Sequence, residues 1–257
     1  MFEDLGQRMK SRSAALLLTL DNRLDRILQC WLLFAGLTAA ARIAFSPRLA
    51  PVAGFATFAS YMLLVVAPFA STLLALHWFR DGHLQPQLTT RLAVFGRWRG
   101  VTRAEAERHH LYGSSGIMVS LLVGMMLNVP VRAAEYLAAM PPVSLVGPAW
   151  LSSLHFAMTL DVVLFGSLYM IAFVAALRRI PLFPRLLVAI WIADLCMQLF
   201  TASLVTRSGD LPPAVADALH SLLAGNVKKV LISAGLWLPY LLLSTRVNVT
   251  FRHRVPA

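Results

Sequence analysis

The sequence predicts an all-α bundle that crosses a membrane six times, with both chain termini on the cytoplasmic side. Three observations support this fold class: an apolar composition, separate stretches free of charge, and a one-sided distribution of arginine. Of the 257 residues, 58% are hydrophobic and 14% are charged, and the mean hydropathy is +0.68. An ordinary soluble domain carries about 25% charged residues. Lipid is therefore the predicted solvent for most of the chain.

Each predicted span is an apolar stretch close to the about 20 residues that a helix needs to cross a hydrocarbon core. The stretch Val52–Phe79 is the clearest, because it contains no Asp, Glu, Lys or Arg. Cations interrupt three other spans: Arg42 in the first, Arg132 in the third, and Lys228 and Lys229 at the start of the sixth. The six predicted spans are Ile27–Phe45, Val52–Phe79, Gly116–Met140, Trp150–Leu177, Leu186–Val205 and Val227–Ser244.

The placement of the cations predicts the orientation of the bundle. A net charge of +11 would suggest nucleic acid binding in a soluble protein, but cytoplasmic loops of membrane proteins are also rich in Lys and Arg. With a cytoplasmic N terminus, most of the 23 lysines and arginines fall in inner segments. Those on the outer side are Arg42, Arg48, Arg132, Arg207, Lys228 and Lys229. We expect anionic lipid headgroups, and no nucleic acid, to contact the basic loops.

The longest polar segment, Arg80–Tyr112, lies on the predicted cytoplasmic side. Thr102 and Glu105 have the spacing of a capping box, which predicts a short helix from Arg103 toward Leu111. Aromatic side chains such as Phe95 stand among the arginines of this segment. It is therefore either a segment that lies along the inner headgroups or a solvated basic loop, and both interpretations stay open.

A layer of ionisable groups is predicted at one depth inside the membrane. Counting about 1.5 Å per helical residue from each inner boundary places four side chains about 23 Å above the inner edge. These are Arg42, Arg132, Asp161 and Lys229, with His155, Glu135 and Lys228 at a similar or slightly greater height.

A buried Asp161 requires a partner, and Arg132, Lys228 or Lys229 could supply it. In one interpretation the cations extend to the outer interface and Asp161 forms an ion pair that determines helix packing. In the other, the layer lines an outward-facing cavity for an anionic ligand such as a lipid headgroup.

Two more polar residues lie deeper in the predicted fifth span. Asp194 is about 13 Å above the inner edge, with Gln198 one turn away on the same helix face. Because Asp161 comes out roughly 10 Å higher, the two carboxylates are not expected to form a close pair. Asp194 either joins neighbouring helices by hydrogen bonds or takes part in a proton relay.

No motif for catalysis, metal or haem is apparent. The histidines lack metal-ligand spacing, and His77 and His155 are predicted at opposite membrane faces, so they cannot hold a haem between them. Cys30 and Cys196 both fall inside predicted spans, which argues against a disulfide framework. We expect no metal and no cofactor, and do not expect an enzyme. The weakest hypothesis is a lipid-modifying enzyme with Asp161 and His155 as acid and base.

The second half of the chain resembles a known family. The residues that carry the resemblance are Tyr112, Gly113 and Gly116, then Arg178, Arg179, Phe183 and Pro184, and the closing signature Trp237, Pro239, Tyr240, Ser244, Arg246. This pattern resembles the membrane family called domain of unknown function 2569, over about residues 112–252. The resemblance implies four spans in a bacterial cytoplasmic membrane and implies no activity. It also predicts two domains: an N-terminal extension, residues 1–111, with two spans and the basic loop, and a four-helix module with a basic tail, residues 112–257.

Two functional hypotheses follow. The first is an accessory or scaffolding subunit of a larger membrane assembly, with other membrane proteins as partners. The alternative is a carrier or binding protein for an anionic lipid or small anion. Its ligand would be held by Arg42, Arg132, Asp161, His155, Lys228 and Lys229.

Overall fold

The computed structural model describes residues 2–45, 55–82, 85–88, 96–140, 142, 148–209 and 211–257. Arg48, Phe95 and the predicted start of the second span at Val52 lie outside the described residues. The helices are α1 (Phe2–Asn22), α2 (Leu24–Ala44), α3 (Phe55–Trp78), α4 (Arg103–Arg108), α5 (Met118–Ala139), α6 (Ala149–Leu177), α7 (Phe183–Arg207), α8 (Pro213–Leu243) and α9 (Thr245–Arg252). Two short strands, β1 (Trp98–Gly100) and β2 (Arg254–Pro256), form an antiparallel pair.

The predicted helical membrane bundle is confirmed. Helices α2, α3, α5, α6 and α7 are each long and apolar enough to cross a membrane. Helices α8 and α9 meet at a bend of 70° and count as a sixth span if they are taken together. The chain is therefore a multi-pass membrane protein. The cytoplasmic orientation of its termini stays a prediction, as does the domain boundary at residue 111.

Helix α6 lies at the centre of the bundle, with α3, α5 and α7 packed around it. It is apolar on all sides, as expected for a helix that is surrounded by other helices. Gly166 permits close approach of α3, since a Cβ atom there would lie 3.3 Å from Pro68 Cγ. The Trp31 indole of α2 donates to the Val65 carbonyl of α3 over 3.0 Å. The hydrophobic core therefore draws on both predicted domains.

One end of the bundle carries an ordered cap, which we call the platform. It consists of β1, β2, α4, α9 and the α6–α7 turn, residues 178–182. Helix α1 reaches the same end, where the Ser13 hydroxyl accepts from the Gly116 N–H over 3.0 Å. The predicted capping box of Thr102 and Glu105 is present. Helix α4 ends at Arg108, earlier than expected, because His109 adopts an extended conformation (ψ 134°).

The closing motif, from Trp237 to Arg246, stabilises the junction between α8, α9 and the start of α5. The Trp237 and Tyr240 rings pack edge to face with centroids 5.8 Å apart, and Ser244 occupies the bend. The Arg246 guanidinium donates to Ser115 Oγ over 2.8 Å and approaches the Gly113 carbonyl at 3.4 Å. The opening and closing motifs of the resemblance therefore contact each other.

A buried ion cluster beside an open cleft

Arg132 of α5 is the centre of a polar cluster inside the bundle. Its Nη1 atom donates to Asp161 Oδ2 of α6 over 2.8 Å, and its Nη2 atom donates to Asp194 Oδ2 of α7. Arg132 is 9% exposed and Asp194 is 0% exposed. Two carboxylates therefore share one guanidinium away from water.

Neutral side chains complete the hydrogen bonding of the two carboxylates. The Tyr169 hydroxyl donates to Asp194 Oδ2 over 3.2 Å. Gln198 Nε2 donates to Asp161 Oδ1 over 3.1 Å and lies 3.3 Å from Asp194 Oδ1. Asn226 Nδ2 of α8 donates to Gln198 Oε1 over 3.3 Å. The ion cluster, defined as Arg132, Asp161, Tyr169, Asp194, Gln198 and Asn226, thus includes residues from α5, α6, α7 and α8.

The prediction that Asp161 and Asp194 stay apart was wrong. Helix α7 begins at Phe183, earlier than the predicted start at Leu186. Counted from the ends of α6 and α7 at their shared turn, the two carboxylates differ in height by about five residues, or about 7.5 Å. The Arg132 guanidinium spans this difference in height because Nη1 donates to Asp161 and Nη2 donates to Asp194. The Gln198 amide also contacts both carboxylates.

The other residues of the predicted layer are not in one site. Lys229 of α8 forms an ion pair with Glu135 of α5 at the edge of the cluster, whereas Lys228 is exposed. His155 Nε2 lies 3.4 Å from Ser60 Oγ of α3. Arg42, on α2, has a buried Nε atom without a hydrogen-bond partner among the described residues. Residues at equal depth therefore face different neighbours around the bundle.

A cleft of about 310 Å³ opens between α5 and α8 beside the ion cluster. Tyr169, Leu187 and Trp191 line it from α6 and α7. Trp191 is 3% exposed, and its Nε1 atom has no hydrogen-bond partner among the described residues. The cleft is polar toward the end distant from the platform and apolar toward the platform. Its polar lining includes Arg132, Glu135, Asn226 and Lys229, and its apolar lining includes Leu121, Met125, Leu127, Val230 and Trp237.

Sequence reasoning did not nominate Tyr169 or Asn226. Tyr169 follows Asp161 by eight residues, which is about two helical turns, so both lie on one helix face. The Arg132 guanidinium also lies 5.0 Å from the centroid of Phe165, on the turn between them. Asn226 is an amide within a largely apolar helix. The spacing of Asp161 and Tyr169 and the position of Asn226 in an apolar helix could both have been recognised in the sequence.

These features define a class: a multi-pass helical membrane protein with a charged cluster between its spans and an open cleft next to it. The family model described as protein of unknown function (DUF2569) matches residues 115–252, and the chain belongs to this family. The resemblance drawn from the sequence motifs is thereby confirmed. The matched region includes every residue of the ion cluster. No curated protein and no solved structure gives a significant match to the chain.

Proposed function

We propose that the protein binds an anionic phospholipid in the cleft between α5 and α8 and acts as a carrier or binding protein for it in a bacterial cytoplasmic membrane. The observation that supports this function is the cleft itself, which is about 310 Å³ in volume and apolar over most of its lining. Ligand sites are typically apolar cavities of about 300–1,000 Å³ with a few polar groups. A cleft between two spans is open to lipid, whose acyl chain matches its apolar part.

The head group would lie at the polar end of the cleft. The charge of Arg132 is already shared by two carboxylates, to which its Nη1 and Nη2 atoms donate, although its Nε atom has no hydrogen-bond partner among the described residues. Lys229 is available, since its side chain is 55% exposed, and Lys228 beside it is exposed as well. A phosphate could contact both ammonium groups, and its contact with Lys229 would weaken the Lys229–Glu135 ion pair.

Trp191 provides a spectroscopic probe for an acyl chain in the cleft. We would reconstitute the full-length chain in vesicles of phosphatidylglycerol or phosphatidylcholine whose acyl chains carry bromine, a contact quencher of tryptophan. The Trp191 signal is the difference between the wild type and Trp191→Phe. We expect saturable quenching of this signal, at a lower mole fraction of phosphatidylglycerol than of phosphatidylcholine.

A glycine in the cleft wall supplies the matched variants. Gly124 lines the cleft, and a Cβ atom added there meets nothing within 4 Å. Gly124→Leu should therefore fill the cleft and abolish the quenching. Gly235 of α8 is also open but does not line the cleft, so Gly235→Leu should leave quenching unchanged. Equal quenching in wild type and Gly124→Leu would contradict the proposal, and equal quenching by both lipids would contradict its anionic head group.

The accessory-subunit hypothesis has a second observation in its favour. Arg99 and Arg108 of the platform are exposed, as is Arg97, the residue before β1, and together they form a basic surface that could receive an acidic protein partner. We would extract the chain from native membranes and compare the mass of its complexes with that of a variant carrying Ser at these three positions. A partner lost only in the variant supports this function. The same solitary mass for both proteins argues against it.

A further inference from the structure

We infer that the ion cluster is a proton-binding site, filled through Glu135 from the side of the bundle opposite the platform. This inference goes beyond lipid binding and does not require it. It rests on the charge of the cluster, on the hydrogen bonds of its two carboxylates, and on a small cavity between Asp161 and Glu135.

The charges in the cluster do not cancel. Asp161 and Asp194 contribute two negative charges if both are ionised, and Arg132 contributes one positive charge. The other members, Tyr169, Gln198 and Asn226, are neutral. The neighbouring Glu135 and Lys229 neutralise each other, and His155 bonds to Ser60 on the α3 side.

One negative charge is therefore left inside the bundle. An unpaired charge away from water is strongly unfavourable, and two carboxylates that share a site seldom ionise together. A single bound proton makes the cluster neutral, with one ionised carboxylate paired to Arg132 and one neutral carboxyl group.

The hydrogen bonds around the carboxylates suit a proton better than a metal ion. Among the described residues, no group of three or more His, Cys, Asp or Glu side chains is placed to hold a metal. A proton on Asp161 Oδ1 needs only one acceptor. The Gln198 amide, 3.1 Å away, supplies it when Gln198 and Asn226 both turn over, so that Gln198 Oε1 accepts from the carboxyl group and Gln198 Nε2 donates to Asn226 Oδ1. This change gives up the contact between Gln198 Nε2 and Asp194 Oδ1.

A cavity of about 20 Å³ provides the route to the site. It is lined by Asp161, Glu135, Arg132 and Asn226, among others. This volume holds about one water molecule, which needs about 10–15 Å³. The Glu135 side chain is 39% exposed. A proton from the aqueous phase can bind the Glu135 carboxylate, pass to the water and then to Asp161, after which Glu135 is a carboxylate again.

Toward the platform, the surroundings of Asp194 are different. Leu187, Ile190, Trp191 and Phe173 are buried there in the hydrophobic core. Among the described residues, this part of the core offers no titratable group beyond Tyr169, and the part of the cleft that Leu187 and Trp191 line is apolar. The titratable groups around the site therefore continue only toward the end of the bundle distant from the platform.

Infrared difference spectroscopy of the full-length protein in lipid vesicles tests the proton directly. At pH 7 we expect the C=O stretching band of a protonated carboxyl group, shifted in D₂O and shifted again by isotope-labelled aspartate. Asp161→Asn and Asp194→Asn should each abolish the band, because each leaves one carboxylate with one guanidinium. Asp217→Asn, an exposed site at the start of α8, should retain it.

Absence of the band from the wild type, insensitivity of the band to aspartate labelling, or its survival in both cluster variants would overturn the inference. The labelling result needs no substitution, so the test stays decisive even if a variant fails to fold.

The route has its own test. Glu135→Gln should slow the exchange of the carboxyl proton for deuterium by about tenfold or more, since it removes a proton-transfer group. Asp217→Asn, which removes an exposed carboxylate of α8 outside the ion cluster, should not change the rate. Unchanged exchange in Glu135→Gln would exclude Glu135 from the route. Gly124→Leu should keep the band, so a failure of the lipid proposal and a failure of the proton proposal give different results.

Discussion

Arg132 and Asp194 form a direct ion pair between α5 and α7, two helices that pack mainly on α6 and not on each other. The pair therefore connects spans on two sides of the central helix. Asp161 of α6 accepts from the same guanidinium. One arginine therefore holds carboxylates from two different helices.

Removal of Arg132 should be the most costly single change in the cluster. Arg132→Leu leaves two carboxylates without a cation, and breaking a buried ion pair from one side costs about 3–5 kcal/mol. Equilibrium unfolding in detergent micelles would measure the free energy. In the double variant Arg132→Leu/Asp194→Asn, the free energy of unfolding should fall by less than the sum of the decreases in the two single variants. Arg42→Leu, which removes a half-buried arginine outside the cluster, is the control, and an equal loss in both arginine variants would contradict the assignment.

The Tyr169 hydroxyl should contribute more to the free energy of unfolding than a hydrogen bond between two neutral groups does. Its hydroxyl donates to a carboxylate, so Tyr169→Phe should lower the free energy of unfolding by about 1.5–3 kcal/mol. Tyr136 offers a matched comparison, because its hydroxyl bonds the Thr159 hydroxyl over 2.9 Å. Tyr136→Phe should cost about 0.5–1.5 kcal/mol. A larger loss for Tyr136→Phe than for Tyr169→Phe would argue against a charge-assisted hydrogen bond at Tyr169.

Gly116 should resist substitution for two reasons. Its φ of +74° is unfavourable for other residues, and a Cβ atom there would lie 3.4 Å from Arg246 Nε. Gly113 has a φ of +108° but open space around it, so Gly113→Ala isolates the backbone strain. Backbone strain of this kind costs about 1–3 kcal/mol. Gly116→Ala should, in addition, weaken the hydrogen bond from Arg246 to Ser115 and speed hydrogen exchange at the start of α5, which Gly113→Ala should not do.

The platform should loosen in mild acid through His253. Burial, and then the nearby Arg103, lower the pKa of His253 below its usual value of about 6.5. The folded state therefore binds fewer protons than the unfolded state, and the contribution of His253 to stability is complete above pH 6.5 and is lost as pH falls through the lowered pKa. The Val101 N–H donates to the His253 carbonyl over 3.0 Å, so its hydrogen exchange reports the change.

Asparagine is a suitable control for His253. It does not titrate, and it tolerates the left-handed conformation in which His253 has a φ of 46°. After correction for intrinsic exchange rates, acid should speed the exchange of Val101 in the wild type and not in His253→Asn. Identical pH profiles would exclude His253 as the cause.

Both chain termini should be accessible from the cytoplasm. Helix α1 and the C-terminal strand β2 both reach the platform, where Asp21, near the end of α1, lies 3.6 Å from Arg178 and β2 pairs with β1. Cys30 and Cys196 would first be replaced by Ala, and single cysteines placed at Ala257 and Pro212. A membrane-impermeant thiol reagent added outside spheroplasts should label position 212 and not 257. The reverse labelling would invert the orientation that the arginines predict.

Composition and local spacing predicted the fold because the physical causes are local. An apolar stretch that is long enough, as a helix, to cross the hydrocarbon core predicts a span whatever its neighbours are. The capping box of Thr102 and Glu105 depends on residues three apart, and the closing motif from Trp237 to Arg246 is contiguous in sequence.

The candidate site was predicted only in part. Counting residues gave the heights of Arg132 and Asp161, but height does not say which way a side chain faces. His155 and Arg42 are therefore separate from the cluster, although they came out at the same depth. Asp194 was misplaced because the first turn of α7 includes Phe183 and Pro184, residues that sequence reasoning assigned to the loop.

The sequence alone determined that this chain crosses a membrane several times and which polar residues lie within the apolar helices. Both depend on the cost of moving a residue from water to hydrocarbon. Only the tertiary structure decided which of those residues meet. The rotation of each helix about its axis is a property of packing, and it places two carboxylates of different spans on a single arginine.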